Sequence, residues 1–451
     1  MDIINNFFEQ FSSFIWIFVS ALVIGGGFFF LILSKMTPFK YFSHAKDILL
    51  GKHDNPYDEG QISHFQALST ALSSTVGVGN IAGVAIAITQ GGPGSLFWMW
   101  ISAFVGMATK FFTCSLGIMY RGYDSENKLQ GGPMYVIENG MGKKYKFLSY
   151  WFSAAGLIGC LSLLQVNQLT EIIANEMNNQ SDLIKFIIGV LVALVVSIVI
   201  FGGLKRIAEI ASKLVPLMVF VYLFFGIIIM VINLSSIPKI FINIIESAFD
   251  FKSIYGGFLG VMIVGFQRAA FSNEAGMGTE VMAIGASKNN EPIKSGLVAM
   301  LGPFIDTIIV CSITGFVILL TNDWMTFDTQ GGSTVQGALL TQKAFESHIG
   351  IVGHYVLLLC VVIFALSTMF GYSYYGCKCS SYLFGAHSKK FYRIFYVLSL
   401  VVGAVLPLAL AVDIVDTMFA LMAFPTMISA LYLAPNIKIE ANRYFASIKG
   451  N

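Results

Sequence analysis

Gly77-Val78-Gly79-Asn80 interrupts a membrane-length apolar segment, and Ala275-Gly276-Met277-Gly278 interrupts another one five apolar segments later. Backbone that faces lipid cannot leave N–H and C=O groups unpaired, so an unwound stretch at membrane depth has to line an enclosed cavity. Two such breaks at corresponding positions of two halves are typical of the binding site of a secondary transporter.

The composition is that of a polytopic membrane protein. The 451 residues are 56% hydrophobic and 12% charged, whereas soluble domains carry about 25% charged residues. The net charge of +2 gives no indication of nucleic-acid binding. The cysteines are interpreted as small apolar residues, and the histidines are scattered at loops or helix ends, so no cofactor and no metal cluster are expected.

The sequence contains eleven apolar segments that are predicted to span a bilayer. They cover approximately residues 13–34, 63–90, 94–120, 147–175, 183–203, 208–234, 254–287, 295–321, 350–384, 391–411 and 413–435. The first lacks a basic start and is predicted to be a retained membrane helix rather than a signal peptide. Two outer connections are predicted to contain structure: a short amphipathic helix within 235–253, and a Gly-rich turn followed by a helix within 322–349.

Basic residues are distributed unevenly between alternate connections. Nearly all lysines and arginines lie in one set, and the other set holds only Lys185, Lys239, Lys252 and Lys343. The positive-inside rule then predicts an external N-terminus and a cytoplasmic C-terminus.

The segments divide into two halves if the first one is peripheral. Residues 1–62 would form an extra N-terminal helix and linker, and 436–451 a short cytoplasmic tail. Residues 63–234 and 235–435 would then each hold five spans that begin with a broken helix. Because five is an odd number, the halves have opposite orientations, which is the plan of an inverted repeat.

The first break has suitable chemistry for a zwitterion and a cation. Gly77 and Gly79 can adopt positive φ, and Asn80 would cap the second half-helix. N–H groups at a helix start favour a carboxylate, whereas carbonyls at a helix end favour a cation such as Na⁺. The carbonyls would belong to residues near Ser73, Thr75 and Val76.

Charged residues within the spans are functional candidates, because charge is costly in hydrocarbon. Arg268 and Glu274 flank the second break. Arg268 is expected either to pair with Glu274 or Asp306 and anchor the break, or to act as a gate. For Lys110, snorkelling to the interface is favoured over pairing with Asp306.

These stretches, and others in the same order, resemble the alanine/glycine:cation symporter family of sodium:amino-acid symporters, within the amino acid-polyamine-organocation superfamily. The resemblance rests on Phe65-Gln66-Ala67-Leu68, Gly79-Asn80-Ile81-Ala82-Gly83-Val84, Gly91-Gly92-Pro93-Gly94, Gly106-Met107-Ala108-Thr109-Lys110, Gly131-Gly132-Pro133-Met134-Tyr135, Phe271-Ser272-Asn273-Glu274-Ala275-Gly276, Phe304-Ile305-Asp306-Thr307 and Ser373-Tyr374-Tyr375-Gly376. It implies an all-α, leucine-transporter-type 5+5 inverted repeat with one extra N-terminal helix, in a bacterial or archaeal cell inner membrane.

The resemblance also implies the ligands. The amino-acid carboxylate would meet backbone N–H groups of the first break, and the ammonium would face the second. The implied substrate residues are Thr75, Gly77, Val78, Gly79, Gln165, Phe271, Ser272, Gly276 and Tyr372. The implied Na⁺ ligands are Ser73, Val76, Ala365, Ser367 and Thr368, hard oxygen donors without a carboxylate. Without the resemblance, Gln165 would be interpreted as an interhelical hydrogen-bonding residue.

Three positions depart from the family pattern. Thr113 and Cys377 stand where the family usually or often has Glu, and Tyr372 where it usually has Trp. The first change affects the surroundings of Lys110 and the cation stoichiometry. The change at Tyr372 affects the wall of the pocket and hence the substrate range.

The sequence therefore predicts a symporter that imports alanine or glycine with Na⁺ by alternating access. The same fold with another small solute, or with H⁺, is the first alternative. A channel or non-transporting sensor is the second; midplane breaks favour occlusion over a continuous pore, and the tail after Pro435 is too short for a signalling domain. No catalytic arrangement is recognised in the spans, so no enzyme is expected.

Overall fold

Long helices make up most of the computed structural model, which describes residues 2–53, 58–250, 257–321, 324 and 337–449. In chain order they are α1 Asp2–Leu33, α2 Thr37–Lys40, α3 Phe42–Leu49, α4 His64–Thr75, α5 Val84–Gly91, α6 Gly94–Met119, α7 Pro133–Val136, α8 Lys146–Gly159, α9 Leu163–Glu176, α10 Asp182–Ile200, α11 Gly203–Ile232, α12 Ile237–Ala248, α13 Gly257–Asn273, α14 Thr279–Ile284, α15 Pro292–Ala299, α16 Leu301–Pro303, α17 Ser312–Leu319, α18 Gly337–Phe384, α19 Ser388–Val405 and α20 Leu408–Lys449.

Shorter elements complete the described chain. An antiparallel hairpin pairs β1 Gly122–Tyr123 with β2 Leu129–Gln130. The π-helical turns are Gly79–Gly83, Ile137–Met141 and Phe304–Cys311, and a 3₁₀ turn covers Lys143–Tyr145. All six cysteines are free and buried, as expected of small apolar residues.

Many of these helices are membrane-length. Within the described ranges, eight helical segments are long and apolar enough to cross a bilayer. Helix α4 and the helical stretch Gly79–Gly91 are bent by 48° relative to each other, and the total is nine if they count together as one broken span. Two predicted spans, 254–287 and 391–411, coincide with α13–α14 and α19 but fall outside that count. The total of eleven therefore stays a prediction.

Both ends of α4, the first half of the first broken helix, are set by residues next to them in the sequence. Ser63 Oγ accepts from the Gln66 N–H at 3.2 Å, and the Gln66 side chain accepts from the Ser63 N–H at 3.1 Å. This capping box satisfies donors at the start of α4. At its other end Val76 is extended, with a ψ of 90°, which breaks the helix before Gly77.

Two features of the spans were not predicted. The predicted span 147–175 consists of two helices, α8 and α9, separated at Cys160–Ser162. Within the predicted span 295–321, Pro303 is followed by the π-helical turn Phe304–Cys311. Proline removes a backbone donor and disturbs the helical ladder, so a wider turn after it is understandable. The first irregularity lies just before Gln165, and the second contains Asp306.

The two connections predicted on the outer side agree with the sequence where the structure describes them. The amphipathic helix is α12, whose Ile240, Ile244 and Ala248 are buried. Trp98 Nε1 donates to the Ala248 carbonyl at 3.2 Å, which fixes α12 against α6. The Gly-rich turn at 330–333 lies outside the described residues, and the predicted helix after it is the first part of α18, up to a kink at Ile349 and Gly350.

Helix α1 packs closely against the rest of the bundle. Trp16 Nε1 donates to the Asp416 carbonyl at 3.2 Å, and the rings of Phe30 and Phe112 stack at 4.6 Å. Although α1 is extra to the proposed repeat, it is therefore tied to both α6 and α20.

Candidate functional site

The first break is closed by its own asparagine. Asn80 Oδ1 accepts from the Gly77 N–H at 2.9 Å, and the Asn80 N–H donates to the Gly77 carbonyl at 3.1 Å. Neither Gly77 nor Gly79 has a positive φ, so the expected reason for these glycines was wrong. The Gly77 N–H is also already paired, which leaves Val78 and Gly79 as the nearby backbone donors.

Close approach explains the two glycines instead. A Cβ on Gly77 would overlap Thr368 Oγ1 of α18. A Cβ on Gly79 would lie 3.1 Å from Phe271 Cε1 and 3.7 Å from the Ser272 Cα of α13. The first break is thus held between α18 on one side and the second broken helix on the other, and a larger residue at either position would separate them.

The second break does use left-handed backbone. Glu274, Gly276 and Gly278 have φ values of 54°, 89° and 86°. Such a conformation costs a non-glycine residue about 1–3 kcal/mol, so Glu274 must be held by its surroundings. A Cβ on Gly276 would lie 3.1 Å from Met427 Sδ and 3.2 Å from Val23 Cγ2. Gly276 therefore faces α20 and α1, whereas Phe271 and Ser272 face Gly79.

Asp306 connects the two broken helices. Its Oδ1 accepts from Asn80 Nδ2 at 2.6 Å, and its Oδ2 accepts from Ser272 Oγ at 2.6 Å and from Thr307 Oγ1 at 2.8 Å. The side chain is completely buried. Hydrogen bonds to an ionised acceptor are stronger than neutral ones, so one carboxylate stabilises the relative position of both breaks.

Glu274 has neutral partners. Tyr372 Oη donates to Glu274 Oε1 at 2.5 Å, and Thr279 Oγ1 donates to Oε2. The tyrosine comes from α18 and the threonine from the start of α14. Tyr372, one of the departures from the family pattern, therefore holds the strained residue of the second break.

Arg268 pairs with neither Glu274 nor Asp306, so the expected pairing was wrong. Its Nη2 contacts Asp416 Oδ2, and Gln267 Nε2 donates to the same oxygen at 2.7 Å. Asp416 is a buried acid on α20 that the sequence reasoning overlooked, although a lone Asp in an apolar segment is itself a signal. The pair links α13 to the last helix.

Lys110 does not snorkel, contrary to expectation. Only 2% of the residue is exposed, because α6 is enclosed by its neighbours at this level. A Cβ on Gly302 would lie 3.3 Å from Lys110 Nζ, and the residue borders a small void together with Thr75 and Glu280. Thr113, where the family usually has Glu, donates instead to the Thr109 carbonyl at 3.0 Å.

Aromatic rings surround the region beside Gly79. The ring centroids of Phe271 and Phe419 are 5.8 Å apart, and those of Tyr372 and Phe419 are 6.3 Å apart. Phe419 was not singled out from the sequence, since a phenylalanine in an apolar span carries no distinctive signal. Gln165 is 2% exposed, and its Oε1 has no hydrogen-bond partner among the described residues.

The residues implied as Na⁺ ligands are buried and include hydroxyl oxygens that can still accept. Ser73, Val76, Ala365, Ser367 and Thr368 are all buried. Ser367 Oγ and Thr368 Oγ1 each donate to the Phe364 carbonyl at 2.9 Å, so both hydroxyl oxygens keep acceptor capacity. The close approach of Gly77 to Thr368 brings the first break against this part of α18. Among the described residues, no group of His, Cys, Asp and Glu is arranged to hold a metal ion.

An arginine fastens the far end of the second broken helix. Arg121 donates to the carbonyls of Gly285 at 2.8 Å, Asn289 at 2.7 Å and Ser287 at 2.5 Å. Burial lowers the pKa of Arg121 to about 10, so the guanidinium keeps its charge at neutral pH. These bonds join the loop before β1 to the residues after α14.

Comparison with known proteins identifies the family. The sequence profile of the sodium:alanine symporter family matches residues 1–451. The chain belongs to the sodium:alanine symporter family. It is 37% identical over 447 residues to the sodium/alanine symporter AgcS of Methanococcus maripaludis, covering 98% of this chain and 97% of AgcS. It is 35% identical over 457 residues to an uncharacterized transporter of Haemophilus influenzae, covering 99% and 98% of the two chains.

A solved structure supports the fold. MhsT in complex with L-phenylalanine superposes with a TM-score of 0.59 at 16% identity, covering 83% of this chain and 89% of MhsT. Membership of the sodium:alanine symporter family makes the chain a multi-pass membrane transporter and not an enzyme, and it implies Na⁺ as the coupling ion and an amino acid as substrate. The predicted family is confirmed.

Proposed function

We propose that this member of the sodium:alanine symporter family imports alanine or glycine together with Na⁺ by alternating access within a 5+5 inverted repeat. The observation that carries the proposal is the double role of Asp306, which binds Asn80 of the first break and Ser272 of the second. Because both broken helices bind the same carboxylate, a movement of one changes the position of the other. Coupled binding of two ligands requires such a link.

The substrate would lie between Gly79 and the rings of Phe271, Tyr372 and Phe419. Its carboxylate would meet the N–H groups of Val78 and Gly79, because Asn80 occupies that of Gly77. Its ammonium would face the second break near Phe271 and Ser272 and would also donate to Gln165, whose buried Oε1 lacks a partner among the described residues. An unpaired buried acceptor costs about 1–3 kcal/mol, so a donor on the ligand is a physical reason to keep it. The closeness of Phe271 to Gly79 favours a small side chain.

Coupling would follow from the shared first break. Na⁺ held by the Val76 carbonyl and Thr368 would fix the break against α18, and this would preorganise the N–H groups of Val78 and Gly79 for the carboxylate. One bundle derived from the repeat would then rock against the other and expose the site to the cytoplasm.

Uptake into proteoliposomes tests the proposal. Labelled alanine should accumulate when an inward Na⁺ gradient is imposed, and unlabelled glycine should compete. Accumulation that follows a proton gradient and ignores Na⁺ would change the coupling ion. Competition by unrelated solutes but not by alanine or glycine would reject the substrate, and conduction without accumulation would indicate a channel. No contact within the described residues favours a second candidate function.

A further inference from the structure

A cavity of about 420 Å³ lies away from the broken helices, where the end of α1, helix α2, helix α6 and the last turns of α20 meet. Its lining includes the buried side chains of Phe111, Phe112 and Ile437, which form its interior. Lys35, Lys40 and Lys438 also line it, and because all three are exposed they define its rim. An apolar interior with a basic rim suits an amphiphile that has an anionic head.

The charges at the rim are not compensated. None of the residues that line the cavity is acidic. The ion pairs found within the described chain involve other lysines, namely Lys52, Lys128, Lys146 and Lys389. Three ammonium groups around one opening repel each other and attract an anion.

One of the rim lysines lies in a backbone conformation that is unusual for a lysine. Lys35 and Met36 are left-handed, with φ values of 52° and 63°. The Met36 N–H donates to the Leu31 carbonyl at 3.0 Å, and the Lys35 N–H to that of Ile32 at 3.0 Å. This is a C-terminal helix cap at which glycine is normally preferred. A lysine at such a position contributes an ammonium group where a glycine would be easier to accommodate.

We propose that this cavity binds an anionic phospholipid, with its phosphate among Lys35, Lys40 and Lys438 and an acyl chain against Phe111, Phe112 and Ile437. The rim lies at the end of the membrane-length helix α1 and beside the last turns of α20. Basic pockets between membrane helices on the cytoplasmic side recognise anionic headgroups, and the predicted orientation places this rim on that side. A free phosphate is also an anion but would leave the apolar surface in contact with water.

The bound lipid would join α1 to α20 at the end of α1 remote from Trp16. Because Val23 of α1 lies against Gly276, the lipid would stiffen a helix that supports the second break. The proposal does not depend on which amino acid is transported.

Native mass spectrometry and thermal unfolding of the full chain in detergent test the site. The variant Lys35→Gln/Lys40→Gln/Lys438→Gln removes the rim charges. Lys143→Gln/Lys205→Gln/Lys213→Gln is the matched control, since it removes three exposed lysines predicted on the same side. Phosphatidylglycerol, phosphatidylcholine and inorganic phosphate are the probes.

Wild type and control should retain phosphatidylglycerol and melt at a higher temperature with it than with phosphatidylcholine. The rim variant should bind it about a hundredfold more weakly, if each lysine near the surface contributes as is usual for such charges. Equal retention by the rim variant would overturn the proposed site. Equal stabilisation by phosphatidylcholine would overturn recognition of the charge, and equal stabilisation by inorganic phosphate would overturn the lipid as its source. Unfolding of each variant without lipid establishes that a loss of binding is not a loss of fold.

Discussion

Asn80 Nδ2 and Asp306 Oδ1 lie 2.6 Å apart although 226 positions separate them in the chain. The same amide group closes the first break through its Oδ1, which accepts from the Gly77 N–H. Asp306 in turn holds Ser272 of α13. The position of the first break is thus set by a residue that also holds the second.

Asp306→Asn should lower Na⁺-driven uptake by at least tenfold, because its amide group would face the donor groups of Asn80 and Ser272 and leave at least one of them unpaired. A lost buried hydrogen bond to a charged group costs about 1.5–3 kcal/mol, which corresponds to a tenfold effect or more. Initial rates in proteoliposomes measure it.

The exchange variant Asn80→Asp/Asp306→Asn provides the control. In this variant the carboxylate at position 80 accepts from the Gly77 N–H and from the new amide group at position 306. The oxygen of that amide accepts from Ser272, so the side-chain bonds from position 306 to positions 80 and 272 keep partners. The bond from Asn80 Nδ2 to the Asp306 carbonyl, 3.1 Å in the wild type, is lost. Uptake should recover in part relative to either single variant. Additive losses would show that these bonds are not what couples the breaks.

Gly77→Ala should destabilise the protein by about 1–3 kcal/mol, the usual cost of overpacking, because the new Cβ overlaps Thr368 Oγ1. Thermal unfolding in detergent measures the loss. Adding Thr368→Ala should restore the melting temperature by removing the clash. It should not restore the response to Na⁺, since the hydroxyl that the ion needs is gone.

Thr368→Ala alone should raise the Na⁺ concentration for half-maximal uptake about tenfold, equivalent to about 1.4 kcal/mol of ion binding. Ser373→Ala is a suitable control, because Ser373 is a buried hydroxyl of the same helix that is not a predicted ligand. An unchanged Na⁺ dependence in Thr368→Ala would remove Thr368 from the ion site.

Arg268→Met should lower stability by about 3–5 kcal/mol, as expected when one partner of a buried ion pair is lost. The double variant Arg268→Met/Asp416→Leu should regain most of that loss, because no buried charge is left unpaired. Thermal unfolding in detergent measures both. A single variant that melts with the wild type would show that the pair does not stabilise the junction between α13 and α20.

Gln165→Leu should separate affinity from stability. Removing an acceptor that has no partner among the described residues should leave the melting temperature unchanged or raise it. The KM for alanine should rise about tenfold, since one charged hydrogen bond to the ammonium is lost. If KM stays the same, Gln165 is not a ligand.

The two main breaks and the family could be predicted because glycine-rich stretches within apolar segments are conspicuous. The reason why glycine occupies positions 77 and 79 could not be predicted. Positive φ is a local property of a residue, whereas the overlap of a Gly77 side chain with Thr368 depends on how two distant helices pack. In the second break, for which no backbone conformation was predicted, Gly276 and Gly278 do have positive φ.

The partners of the buried charges could not be predicted from the sequence either. The sequence offered Glu274 and Asp306 as partners of Arg268, and only the packing of α13 on α20 selects Asp416. The break at Cys160–Ser162 was missed because it contains neither glycine nor proline. Lys110 was misjudged for a related reason: its depth along α6 suggested access to the interface, but neighbouring helices enclose it.

The bond between Trp16 and the Asp416 carbonyl joins residues 400 positions apart. Helix α1 can therefore complete its packing only after α20 has been synthesised and has entered the membrane. Until then Val23 has no Met427 beside it, and the second break lacks the surroundings that hold Gly276 in its left-handed conformation. The surroundings of the second break are thus complete only when α1 and α20 have met.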